Sequence, residues 1–338
     1  MTTRGAAYGT FRDNEKKEEE KKAASSDMRE TLITLGLVAL WYFLNTWYNI
    51  HNKKAVNMLN LPWTISTIQL WIGWLWFWPL WLTGGRKMPI INNWPAFWKK
   101  IAPQGVFHLG VHAGAAVSMA AGAVSFTHIV KAGEPAITAL LAGVMLKEVF
   151  HPLTYLALVP VVGGVAVAAM KELSFTWLSF TGAMVSNLGS SLRSIFAKRV
   201  QKDTKEIGEN LDSANLYSLL TIVSTLLSTV VALMIEGKEI SGEWEKATAI
   251  DSGNTWQSIA WYTLLSGVWY YSYNEVAFIT LGRLNAVTHA VANTLKRVVI
   301  ILASVIVFRN PISLVGGIGS AIAVGGTLLY SLAKQKYH

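Results

Sequence analysis

Residues 290–308 read "AVANTLKRVVIILASVIVF", an apolar run with Lys296 and Arg297 side by side and no acidic residue to pair with either. A helix of about 20 such residues crosses the hydrocarbon of a bilayer. At the centre of such a helix each cation costs about 2.5–3.5 kcal/mol by insertion scales. Unpaired cations at that depth must therefore face a polar cavity, and that reading sets both the class of the fold and the search for a ligand.

Composition agrees. The 338 residues are 52% apolar and only 14% charged, with a mean hydropathy of +0.36, where a soluble chain carries about 25% charged residues. Ten hydrophobic segments can be read, at 31–50, 62–83, 101–123, 125–146, 152–170, 175–195, 214–235, 256–280, 286–308 and 311–332. The expected fold is an all-α integral membrane protein of ten transmembrane helices. Short connections at 123–125, 150–152 and 309–311 imply antiparallel neighbours, and Pro152 and Pro311 suit the first turn of a new helix. Gly pairs at 163–164, 316–317 and 325–326 allow close helix approach. Fifteen Trp, ten of them between Trp41 and Trp98, suit lipid-facing and interfacial anchors. The absence of cysteine excludes disulfides, thiolate metal sites and cysteine nucleophiles.

The stretch "RDNEKKEEEKKAASSDMRE" at 12–30 is mixed in charge and lacks apolar periodicity, so residues 1–30 are expected to form a disordered charged tail. Its composition matches neither a signal peptide nor a transit peptide. Nineteen Lys and Arg fall in the tails and alternate loops on one side, and six in the loops on the other. The positive-inside rule then puts both termini on the same, cytosol-like side.

"AVSFTHIVKAGEPAITALLAGVMLKEVFHP" at 123–152 resembles "AVTHAVANTLKRVVIILASVIVFRNP" at 286–311. Each has Ala-Val, a Thr-His pair, a mid-segment Lys and an apolar run ending in Pro. Five segments separate the copies, so they lie in opposite orientation, as inverted-topology repeats do in alternating-access carriers. The expected organisation is a first five-helix repeat at 31–170, the start of the sixth helix and a connecting loop within 171–213, a second five-helix repeat at 175–332, and a C-terminal tail at 333–338.

Four cations lie inside segments: Lys131, Arg193, Lys296 and Arg297. Only Glu134 and Glu275 are available there as counter-charges, leaving about two positive charges unmatched. Lys131 could pair locally with Glu134, one turn away, and Arg193, near a segment end, could snorkel. Lys296 and Arg297 are too central for that. Arg offers a planar fork for two oxygens of a phosphate or carboxylate and Lys a point charge, so the set looks like a clamp for a multivalent anion. Tyr273, His112, Asn293 and Thr294 are candidates for neutral hydrogen bonds to the rest of the ligand, His112 being equally suited to helix packing. Neither paired acids nor metal-spaced His residues occur in the segments, which argues against an enzyme, a catalytic residue, a metal or a cofactor.

At these positions the sequence resembles the plastidic phosphate translocators, within the drug/metabolite transporter superfamily. The resemblance spans residues 38–335 and runs through "ALWYFLNTWYNIHNKKAVN", "VSFTHIVKAGEP", "LVPVVGGVAVAA", "ELSFTWLSFTGAMVSNL", "RSIFAKR", "YYSYNEVAF", "VTHAVANTLKRVVII" and "GSAIAVGGTLLYSLAK". It implies strict one-for-one exchange of inorganic phosphate with phosphorylated three-, five- or six-carbon compounds across a plastid envelope membrane. It implies that Lys131, Lys296 and Arg297 hold the phosphate group, while His112, Arg193 and Tyr273 reach the carbon-chain end. Two departures stand out. Ala113, Gly114 and Ala115 follow His112 where relatives carry a Thr or Ser, and Glu275 stands where they carry Gln. Arg297 argues against the related nucleotide-sugar carriers and His112 against the phosphoenolpyruvate branch. "VSMAAGAVSFTHIVKAGEP" leans toward hexose phosphates, whereas "VTHAVANTLKRV" and "KRVQKDTKEIGENLDSANLYS" lean toward triose phosphate and 3-phosphoglycerate, the expected substrates.

Overall fold

The computed structural model describes residues 4–200, 204–281, 283–284, 286–309 and 312–337. The first half contains α1 (Arg4–Met58), α2 (Pro62–Leu82), β1 (Ile90–Ile91), α3 (Trp94–Lys100), α4 (Ala102–Ala121), α5 (Val124–Lys131), α6 (Glu134–Leu146), α7 (Pro152–Leu156) and α8 (Leu158–Met170). The second contains α9 (Trp177–Val200), α10 (Thr204–Ile207), β2 (Gly208–Glu209), α11 (Ser213–Glu236), α12 (Ile240–Thr248), α13 (Trp256–Leu281), α14 (Ala286–Phe308) and α15 (Leu314–Tyr337).

All ten expected segments are helical over most of their length. Among the described residues six helical stretches are long and apolar enough to cross a membrane: Met28–Met58, Val124–Leu146, Pro152–Met170, Ser213–Glu236, Val291–Phe308 and Leu314–Tyr337. The other four long helices are less apolar by mean hydropathy. Trp crowds α2 and Trp and Tyr crowd α13, Gly and His recur in α4, and Gly and Ser in α9. Pro311, expected to open the tenth segment, lies outside the described residues, as do the side chains of Thr288 and His289.

The charged N-terminal stretch differs from the expected disorder, because α1 already begins at Arg4.

Two expected helices are broken. The fourth segment divides at Ala132–Gly133, because Pro135 opens a new helix and donates no backbone hydrogen. Carbonyls near the break find side-chain partners: Asn187 donates to Val130 at 2.9 Å and Thr327 to Ala132 at 3.0 Å. Irregular backbone at membrane depth is tolerated only where protein or a cavity satisfies it in this way. The break leaves Lys131 at the end of one helix and Glu134 at the start of the next. The fifth segment divides near Ala157, where Pro160 cannot donate to the carbonyl of Leu156.

Helix ends are fixed by side chains from elsewhere. Glu236, at the end of α11, accepts from the backbone N–H of Trp63 at 2.9 Å and of Thr64 at 2.7 Å, neutralising the positive end of α2. Asp212 caps α11 and Asn93 caps α3. The connections at 84–93 and 204–212 are joined by the antiparallel pairing of β1 with β2, Ile90 opposite Glu209, and by Asn215, which donates to Lys87 O at 2.9 Å.

The helices pack α4 on α9 and α1 on α13, α2 on α13 and α11 on α4, α6 on α9 and α14 on α1, with α2·α11, α5·α14 and α8·α15 between them. Exchanging each long segment with the one five places on maps this set onto itself. Small residues make two of the seams. A Cβ on Gly164 would lie 2.4 Å from Ala323 N and 2.6 Å from Gly319 O, and one on Gly114 would lie 2.8 Å from Gly182 O. Of the expected Gly pairs, only Gly164 and Gly326 enter a tight seam; Gly163 and Gly325 face open space. Gly164→Ala is therefore expected to destabilise the α8·α15 seam by about 1–3 kcal/mol, the cost of overpacking. Thermal unfolding in detergent checks this, with Gly163→Ala as the neutral control.

Candidate functional site

The site begins at the break between α5 and α6. Lys131 donates to Ser186 Oγ of α9 at 2.5 Å, and Ser186 in turn donates to Val111 O of α4 at 2.8 Å. Glu134 does not take Lys131 as its hydrogen-bonded partner. Its two oxygens accept from Ser190 of α9 at 2.5 Å and from Arg297 Nη2 of α14 at 2.7 Å. The ion pair thus crosses between segments, and Lys131 remains within electrostatic reach of Glu134, Arg297 and Arg193. Arg297 is 6% exposed, and its Nη1 is buried with no hydrogen-bond partner among the described residues. Lys296 turns the other way, placing Nζ 4.4 Å from the centroid of the Trp41 ring, a cation–π contact. It too stays within reach of Arg297, Glu134, Lys131 and Arg193.

Arg193 does not snorkel. Its Nη1 donates to His108 Nδ1 at 2.7 Å, which ties it to an aromatic cluster from α1, α4 and α13. Tyr48 lies 5.2 Å from both Tyr270 and Tyr273 by ring centroids, and His112 stacks on Tyr270 at 3.8 Å. His112 Nε2 faces Ser66 O at 3.2 Å, so that nitrogen carries the hydrogen, and Nδ1 accepts from Tyr48 at 3.4 Å. Both nitrogens of His112 therefore have protein partners, and contact with a ligand requires exchanging the longer of the two.

The six expected site residues converge from five segments into two zones. One zone is cationic, with Lys131, Lys296, Arg297 and Glu134. The other is aromatic, with His112, Tyr273 and the tethered Arg193. The charge balance differs from the sequence expectation: Glu275 is not a counter-charge here, because it forms an ion pair with Arg86 of the loop after α2. Four cations and one carboxylate leave about three positive charges rather than two. The Trp belt is likewise incomplete as an account: Trp41 is buried beneath Lys296, and Trp81 donates to Asn215 at 2.9 Å, whereas Trp76, Trp94 and Trp98 are exposed.

Several members escaped the sequence reading. His108, Tyr270 and Tyr48 are buried, and His128 contacts Asn49 at 2.8 Å within reach of Arg297, Lys131 and Lys296. Buried His and Tyr on helices also serve as packing residues, so only the repeated Thr-His pair followed by a mid-segment Lys, which includes His128, carried a signal. Among the described residues no cluster of three His, Cys, Asp or Glu could hold a metal ion. A crevice of about 750 Å³ between α1 and α14 lies to one side, lined mainly by apolar residues and by Glu30 and Arg283.

The family model that matches this chain, over residues 32–331, is that of the Triose-phosphate Transporter family. The chain belongs to the Triose-phosphate Transporter family. It is a transporter, not an enzyme. It is 38% identical over 297 residues to glucose-6-phosphate/phosphate translocator 1, chloroplastic, of Arabidopsis thaliana, covering 88% of this chain and 74% of that one. To the xylulose 5-phosphate/phosphate translocator, chloroplastic, of the same plant it is 37% identical over 98% of this chain and 78% of that one. To the triose phosphate/phosphate translocator, chloroplastic, of Brassica oleracea var. botrytis it is 37% identical over 90% and 72%. One solved crystal structure matches with a TM-score of 0.51 at 16% identity, covering 91% of this chain and 98% of that one, a likeness of fold alone.

Of the three residues after His112, Gly114 has a structural reason. Gly114 sits where α4 crosses α9, with Ser186 N 3.0 Å from where its Cβ would lie. A hydroxyl-bearing side chain there would force the two helices apart.

Proposed function

We propose that the chain is an obligate antiporter that exchanges inorganic phosphate for phosphorylated three-carbon compounds, triose phosphate and 3-phosphoglycerate, by alternating access. The observation that carries this reading is Arg297: a buried guanidinium with one arm on Glu134 and the other without a partner. A buried donor left unsatisfied costs about 1–3 kcal/mol, more when charged, and a phosphate oxygen meets that need. Lys131 and Lys296 complete the charge for a dianion. Tyr273, His112 and Arg193 then face the remainder of the molecule.

Obligate exchange follows from the charge count. Taking several unmatched cations through an occluded state costs several kcal/mol per ion in desolvation. A bound dianion removes most of that cost, so the loaded carrier switches and the empty one does not. The packing pattern that survives exchange of segments five apart supports ten transmembrane helices in two inverted five-helix repeats, with the fourth and ninth rocking against each other. With that topology both termini lie on one side of the membrane. The chloroplast proteins among its relatives support a plastid envelope location.

A second reading within the family, hexose- or pentose-phosphate exchange, draws on the stretch "VSMAAGAVSFTHIVKAGEP"; the identities of 38%, 37% and 37% to the glucose-6-phosphate, xylulose 5-phosphate and triose phosphate translocators do not separate the two readings. A phosphoenolpyruvate carrier or a nucleotide-sugar carrier fits less well, given His112 and Arg297. Liposomes preloaded in parallel with dihydroxyacetone phosphate, 3-phosphoglycerate, glucose 6-phosphate, xylulose 5-phosphate or phosphoenolpyruvate decide among these. Fastest uptake of labelled phosphate against the first two supports the three-carbon reading; fastest uptake against glucose 6-phosphate replaces it with the second.

A further inference from the structure

We propose that His108 is a positioning residue that sets selectivity at the aromatic end of the site by holding Arg193 and Tyr270 in place. It rests on the reading of the site as a binding place for phosphorylated compounds. His108 is 1% exposed on α4, and both of its ring nitrogens are engaged: Arg193 Nη1 lies 2.7 Å from Nδ1, and Tyr270 Oη lies 3.2 Å from Nε2.

The chemistry of the partners fixes the tautomer. A guanidinium only donates, so Nδ1 must present its lone pair. The hydrogen of the neutral ring then sits on Nε2 and points at the Tyr270 hydroxyl. No other arrangement satisfies both contacts, since an imidazolium would turn an N–H toward the Arg193 guanidinium. The groups around His108 leave no carboxylate to favour that cation. Arg193, Tyr270 and the edge-on ring of Tyr217 surround it, with His112 beyond.

One ring thus couples two parts of the site. Arg193 loses one of the five donors of its fork and most of its rotational freedom. Tyr270, whose ring stacks on His112 at 3.8 Å, is fixed through its hydroxyl. The cationic zone makes no contact with His108 in this network; Lys131, Arg297 and Glu134 are held by Ser186, Ser190 and one another. His108 therefore acts on the part of the ligand away from the phosphate, and above all on a carboxylate facing Arg193.

The test uses the full chain in liposomes with internal phosphate, comparing external phosphate, dihydroxyacetone phosphate and 3-phosphoglycerate. His108→Leu is expected to raise KM for 3-phosphoglycerate by about ten- to a hundredfold, the worth of one hydrogen bond to a charged group. Its KM for phosphate should change less than about twofold, because the phosphate clamp is untouched. His108→Asn, which keeps an acceptor for Arg193, is expected to recover most of the selectivity. An equal loss for all three compounds, or His108→Leu indistinguishable from wild type, overturns the positioning role. Should the Leu variant fail to fold, His108→Asn and Tyr270→Phe carry the same test, since the first keeps and the second loosens the arrangement. Absence of exchange by the wild-type protein with any of the three overturns the transport reading instead, and so separates the two failures.

Discussion

Arg297→Ala is expected to lower phosphate exchange by about a hundredfold or more while leaving a folded, monodisperse protein. The substitution removes the donor without a partner, and it also leaves Glu134 buried with its charge facing the site. Losing a hydrogen bond between charged groups costs about 1.5–3 kcal/mol, each 1.4 kcal/mol being about tenfold in affinity, and the unpaired Glu134 carboxylate adds repulsion toward an anion. Arg297→Lys keeps the charge but not the fork, and a point charge cannot both hold Glu134 and bind the ligand bidentately. Its expected signature is a raised KM for phosphate with part of the maximal rate preserved. Lys296→Ala should also abolish exchange, with no loss of the Arg297–Glu134 pair. Normal exchange by Arg297→Ala or Lys296→Ala would remove these residues from the site.

Glu134→Ala is expected to separate stability from binding. With the carboxylate gone, Arg297 loses its partner at 2.7 Å and the proposed site keeps its four cations without the Glu134 charge. The empty protein should be less stable by about 3–5 kcal/mol, the cost of orphaning a buried charge. Phosphate should then stabilise the variant more than it stabilises the wild type, because it supplies the missing charge. At a hundred times its Kd it contributes about 2.7 kcal/mol, so an added phosphate series should recover much of the lost Tm. Exchange itself should slow, since release of the anion re-exposes a site with no internal counter-charge. Equal phosphate-induced shifts in both proteins would show that Glu134 does not balance the site.

The sequence made the cost of buried charge visible, and that is why it pointed to so many residues of the proposed site. Lys131, Arg193, Lys296 and Arg297 stand out as the cations inside apolar segments, and for Lys296 and Arg297 nothing nearby in sequence explains them. The structure brings Lys296 within electrostatic reach of the other three. The ten helical segments were legible for the same reason, since length and apolarity are read directly from the chain.

Partner choice was not legible. Lys131 and Glu134 are one turn apart in sequence, yet Pro135 and Gly133 break the helix and turn Glu134 toward Arg297. Glu275 looked like a counter-charge for the cavity because it lies in a membrane segment, but its partner, Arg86, comes from a loop almost two hundred residues away. His108 and Tyr270 carry no sequence mark of their own, because a buried His or Tyr reads equally well as packing. Their role appears only when α4, α9 and α13 bring Arg193, His108 and Tyr270 together. The same limit applied to Trp41, which composition assigned to the membrane belt and tertiary packing puts under Lys296.

The most direct test of the account is uptake of labelled phosphate into liposomes holding the purified protein, compared between vesicles loaded with phosphate and vesicles loaded with none. A cavity of unmatched cations that crosses the membrane only when filled predicts uptake into loaded vesicles and none above background into empty ones. Equal uptake into both would mean that the unloaded carrier returns freely, and that the buried charge does not enforce exchange.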